Sequence, residues 1–183
     1  TDGYIRILAI GNSFSEDAIE SLLYELAKES GKTVIVGNLY IGGASLELHK
    51  RKIENSGAAY EYRKIGADGL RKVFPKISIE TALLDEHWDY ISFQQVSQNS
   101  GQLQTIKDAL PTVFNMVKEK SLNPNVQYVY HQTWAYQQNS THEGFANYDK
   151  NQMKMYQAIA DVSKQVKDIV PINIIIPAGT AIQ

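Results

Sequence analysis

The sequence predicts a three-layer α/β/α domain built on a parallel sheet of about five strands. Three observations carry that expectation. Short β-branched or aromatic runs alternate with longer segments of helical periodicity, each run ends on small or polar residues, and 183 residues suit a single core. Strands separated by helices are βαβ units. Their right-handed crossovers give a parallel sheet covered on both faces.

The first strand, Ile5 to Ile10, ends at Gly11-Asn12-Ser13. A helix follows with Ser15 as N-cap, because Glu16 and Asp17 suit the positive end of its dipole. Ile19, Leu22, Leu23, Leu26 and Ala27 recur at three- and four-residue spacing and form its expected buried stripe, and Gly31 stops it. The second strand, Val34 to Ile41, ends at Gly42-Gly43. The polar stretch from Lys50 to Lys76 reads as a loop or a small hairpin insertion. Ser78 to Glu86 is a short helix, Trp88 to Phe93 a third strand, and Leu103 to Glu119 a long helix. Val126 to Tyr130 is a fourth strand, Tyr148 to Ile169 a helix, and Ile172 to Ile176 a fifth strand. The pattern is that of a flavodoxin-like sheet, in which ligands sit at the carboxyl ends of the strands. Those ends read Gly-Asn-Ser, Gly-Gly, Gln-Gln, His-Gln-Thr-Trp and Pro-Ala-Gly.

Composition narrows the chemistry. The chain has no Cys, which removes disulfides, thiol catalysis and zinc-thiolate sites. A net charge of −2 argues against nucleic acid as a partner. Apolar runs of about six to eight residues fall far short of the ~20 that span a bilayer, so no membrane insertion is expected. No His-x-His or His-Glu-x-x-His spacing supports a metal site, and no phosphate-binding or dinucleotide glycine pattern supports a cofactor.

The informative stretch is Ile10-Gly11-Asn12-Ser13-Phe14-Ser15. A Ser at the junction of strand and helix exposes its hydroxyl beside backbone N–H groups able to receive an oxyanion. The same residues also serve as an ordinary turn or helix cap. With the motifs that follow in order, the chain resembles the SGNH (GDSL-like) hydrolase superfamily, in a Bacteroides-type branch that carries Gly-Asn-Ser in the first block. The resemblance runs over nearly the whole chain and implies Ser13 as nucleophile. Ile41-Gly42-Gly43-Ala44-Ser45 stands at the second block, which implies the Gly43 N–H, with that of Ser13, in the oxyanion hole. Trp88 to Ser97 stands at the third block, where relatives supply an Asn side chain. Here only Gln94 and Gln95 offer an amide, and Gln95, nearer the strand end, is the expected donor.

The resemblance also implies a His base preceded by Asp at the third position before it, after the fifth strand. No Asp here has His three positions later. The expectation is therefore truncation, with those residues beyond Gln183; the rival is a scaffold that has lost catalysis. Of the four His, His131 stands at the end of the fourth strand, where it lines the pocket, serves as an alternative base within reach of the Ser13 hydroxyl, or contacts backbone in the loop. Trp134 either faces substrate or packs in the core, and Asn12 joins the substrate-lining set. An aromatic beside the amides of Gln137, Gln138 and Asn139 suits a sugar, apolar on one face and hydrogen-bonding at the rim. The expected activity is thus a serine esterase removing acyl groups, such as acetyl, from a small-molecule or glycan ester. It needs no cofactor or metal, and the resemblance implies an exported location. The alternatives are a glycan-binding module without catalysis and a flavodoxin-like nucleotide domain.

Overall fold

The computed structural model describes residues 3–183. Its seven-stranded sheet has the order β4-β3-β2-β1-β5-β6-β7. The strands are β1 (Tyr4–Gly11), β2 (Thr33–Tyr40), β3 (Tyr60–Ile65), β4 (Arg71–Ile77), β5 (Tyr90–Phe93), β6 (Gln127–His131) and β7 (Ile174–Ile176). The five parallel strands are β2, β1, β5, β6 and β7. They correspond to the five apolar runs of the sequence. The stretch between Lys50 and Lys76 supplies the last turn of a helix and then an antiparallel hairpin, β3–β4, that extends the sheet beyond β2. β4 lies almost wholly exposed, so its sequence shows no apolar alternation.

Alternation along β1 separates the layers. Leu8 and Ile10 pack with Ile91, Phe93 and Tyr130 against one set of helices. That set comprises α3 (Leu46–Glu54), α4 (Ile79–Leu83), α5 (Leu103–Lys120) and α6 (Gln152–Gln165), following the short α1 (Ser13–Ser15) and α2 (Leu23–Glu29). Trp88 is fully buried and donates its indole N–H to the Ala82 carbonyl at 2.9 Å, closing α4 onto the sheet. On the other face Ile5, Val34 and Val36 meet Ile19, Leu23, Tyr24 and Ala27.

The segment after β1 departs from the single amphipathic helix expected. Asn12, not Ser15, is the N-cap, and α1 passes into a π-helical turn over Glu16–Glu20 before α2 begins. The wider π-turn and the break at Ser21-Leu22 change the angular phase of the residues behind them. Leu23 and Ala27 therefore face the sheet, while Leu22 and Leu26, expected in the stripe, are each 64% exposed. A short helix, α7 (Ala178–Ala181), follows β7. Among the described residues no helix is long and apolar enough to cross a membrane.

Candidate active site

β1 delivers the chain into Gly11-Asn12-Ser13. A Cβ on Gly11 would lie 2.5 Å from Ser15 Oγ and 2.8 Å from Gln94 Cδ, so the glycine is required by space rather than by a left-handed backbone. Gly11→Ala is expected to destabilise the protein by about 1–3 kcal/mol in urea unfolding. An unchanged midpoint would show that Gln94 can swing aside.

Asn12 is 1% exposed and organises the turn. Its Oδ1 accepts the Phe14 N–H at 3.0 Å, and its Nδ2 donates to the Ala44 carbonyl at 2.8 Å. The second bond ties the turn after β1 to the Gly42-Gly43 turn after β2. Gln94 Nε2 donates to the same Asn12 Oδ1. Its Oε1 is then left for His131, whose Nδ1 lies 3.2 Å away and must carry the proton. His131 Nε2 is buried with no hydrogen-bond partner, and burial pushes the ring down to about 4.

Ser13 is exposed above this framework, at the edge of a cleft of about 840 Å³. The facing wall comes from the β5 and β6 exits and includes Ser97, Trp134, Tyr136, Gln137, Asn139 and Ser140. Trp134 stands edge-on to Phe14, ring centroids 4.4 Å apart. His142 Nδ1 accepts the Gly144 N–H at 3.0 Å, so the Tyr136 hydroxyl at 3.1 Å donates to it. Ser97 Oγ lies 2.6 Å from that phenol and 3.1 Å from Gln98 Oε1. No side chain lining the cleft carries a formal charge. The backbone N–H groups of Ser13 and Gly43 donate to nothing among the described residues, and Gly43 holds a φ of +65° that favours glycine.

The structure thus brings Asn12, Ser13, Trp134 and His131 into one neighbourhood and sets the Gly43 turn beside it. Trp134 shares the cleft with Ser13, whereas Asn12 and His131 are buried supports behind it. Gln95 is spent elsewhere. It is 1% exposed, its Oε1 accepts the N–H of Leu46 and Val96, and its Nε2 donates to Thr105 at 3.1 Å. That amide pins the start of α3 rather than facing the cleft, and Gln94 is the amide that reaches the serine turn. β5 ends at Phe93, so strand alternation no longer governs either glutamine. Ser97 and Tyr136 were not singled out by the sequence; the signal available was the aromatic-amide exit of the fourth strand. No hydrogen bond joins Ser13 to a histidine, and no group of three His, Cys, Asp or Glu could hold a metal, among the described residues.

Sheet order and crossover helices define a three-layer α/β fold, one shared with SGNH hydrolases of known structure. The chain is similar in fold to a candidate SGNH hydrolase from Slackia heliotrinireducens, with a TM-score of 0.54 and 19% identity over 93% of this chain and 78% of that one. It is similar also to TesA, with a TM-score of 0.52 and 12% identity over 92% and 76% of the two chains. More closely, the chain belongs to the DUF4886 family, a domain family of unknown function whose profile matches residues 6–183. A crystal structure of a DUF4886 family protein from Bacteroides uniformis superimposes with a TM-score of 0.96 at 49% identity. The match covers 98% of this chain and 69% of that one. A search of the curated proteins returns no match.

Proposed function

We propose that the protein is a serine esterase of SGNH type that removes short acyl groups from neutral carbohydrates. The observation that carries this reading is the Ser13 hydroxyl, exposed at the mouth of a helix and opening into an uncharged cleft lined with hydroxyls and amides. In the proposed reaction Ser13 Oγ attacks the ester carbonyl, and the unspent N–H groups of Ser13 and Gly43 take up the oxyanion. Collapse expels the sugar hydroxyl, and water then releases the acid from the acyl-serine. Proton removal from Ser13 requires a base at the cleft mouth, which the described residues do not place there. Activity is therefore tested on the full-length protein.

The lining argues for the sugar. A hydroxyl or amide answers a sugar hydroxyl, and Trp134 offers an apolar face, whereas a phosphate, sulfate or carboxylate meets no cation in the cleft. The test is a panel of acetylated neutral glycans and aryl acetates. Trp134→Ala is expected to raise KM for the glycan ester about tenfold, the loss of roughly one stacking contact, while sparing a small aryl acetate. Binding of the glycan without release of acetate would favour the module that holds sugar and hydrolyses nothing.

A further inference from the structure

Behind the serine turn, away from the cleft, lies a second set of polar groups with no part in the chemistry above. Ser15 is 1% exposed, and its Oγ lies 2.8 Å from the Asn12 carbonyl and 2.9 Å from Asn38 Oδ1. Asn38 is fully buried in β2, and its Nδ2 donates to Glu20 Oε1. The Glu20 side chain is 7% exposed and closes the π-turn. It also accepts from Arg63 at 3.3 Å and from Arg71 at 2.7 Å. Arg63 further binds Glu16 at 2.8 Å and Glu61 at 3.0 Å, and its guanidinium lies 3.7 Å over the Tyr40 ring. The register of β2 with β3 sets Arg63 directly opposite Asn38.

Donor and acceptor roles fix the direction of this chain. A carboxylate only accepts, so Asn38 must turn its NH₂ to Glu20 and its carbonyl to Ser15. Ser15 must then donate, and its proton is held between Asn38 and the carbonyl of the residue that caps the serine helix. Burying a carboxylate and an amide is unfavourable unless every partner is present. An apolar helix face would meet the same sheet without that cost. The π-turn brings Glu20 to the site, and the hairpin β3–β4 supplies the two arginines.

We propose that Glu20, Asn38 and Ser15, held by Arg63, are positioning residues that fix the Asn12–Ser15 turn and so aim the Ser13 hydroxyl. The proposal rests on the reading of Ser13 as nucleophile. Displacing a reacting atom by about 1 Å costs on the order of 100-fold in rate. In the full-length protein, Ser15→Ala and Asn38→Ala are each expected to lower kcat about 10- to 100-fold on an aryl acetate, with KM within about twofold. Because the groups act as one chain, the double variant should lose little more than the worse single variant. Arg71→Ala, at the exposed end, should fold normally and lose only about twofold to threefold. Amide hydrogen exchange across residues 12–21 should be faster in Ser15→Ala and Asn38→Ala, and exchange in α5 unchanged. Folded variants with the wild-type kcat, fully additive losses, or unchanged exchange across the turn would overturn the proposal. Should Ser13→Ala retain full activity, the nucleophile reading fails, and the exchange measurement alone still decides whether the chain fixes the turn.

Discussion

In the full-length protein, Ser13→Ala is expected to reduce kcat for an acetyl ester by on the order of 10⁴-fold or more, with the unfolding midpoint unchanged. Removing the nucleophile of a serine hydrolase leaves only what binding and the oxyanion donors contribute. The midpoint should hold because Ser13 is exposed and its hydroxyl makes no hydrogen bond among the described residues. The cap that starts α1 belongs to Asn12, which the substitution leaves in place. Ser97 and Ser140 share the cleft and provide the control. Alanine at either should change KM, not abolish turnover. Retained hydrolysis in Ser13→Ala would remove this residue from the mechanism.

Stability is expected to fall steeply with acid between about pH 6.5 and pH 4. His49 and His131 are both buried, and desolvation lowers each from 6.5 to about 4. Above the unfolded value both rings are neutral in either state and contribute no pH dependence. As pH drops below 6.5 the unfolded chain takes up protons that the folded protein refuses, so folding weakens until the folded rings protonate near 4. Each ring contributes about 3 kcal/mol across that window, and two approach the whole stability of an ordinary domain. His49 has a single anchor, the Tyr60 hydroxyl at 2.7 Å, and its Nε2 is unpartnered. His49→Phe should roughly halve the slope of unfolding free energy against pH, whatever its effect on stability at pH 8. A slope equal to that of the wild type would mean that His49 charges freely in the folded state.

The parallel sheet was legible because buried strands appear as predominantly apolar runs closed by glycine or amide turns, as Ile5 to Gly11 and Val34 to Gly43 show. The hairpin was half legible, since β4 buries almost nothing and so leaves no pattern. The exposure of Ser13 could be read from Gly11-Asn12-Ser13 because the turn that exposes a hydroxyl is a short-range property. Gln95 could not be placed, because its amide answers to the N-terminus of α3, forty-nine residues earlier in the chain. Glu20 and Arg63 were likewise out of reach. Charged residues on a helix or an outer strand read as solvent-facing, and only Asn38, a polar residue amid the apolar β2 run, signalled a buried partner.

The outer rail of the hairpin has a consequence for how crowded copies of this chain behave. β4 ends the sheet with an open hydrogen-bonding margin, which in principle invites a foreign strand. Lys72 and Lys76 place like charge on that margin, Pro75 withholds an N–H, and the register with β3 slips between Tyr60 and Tyr62. A neighbouring strand approaching this edge meets repulsion, a missing donor and an irregular register, so pairing of copies through β4 is disfavoured.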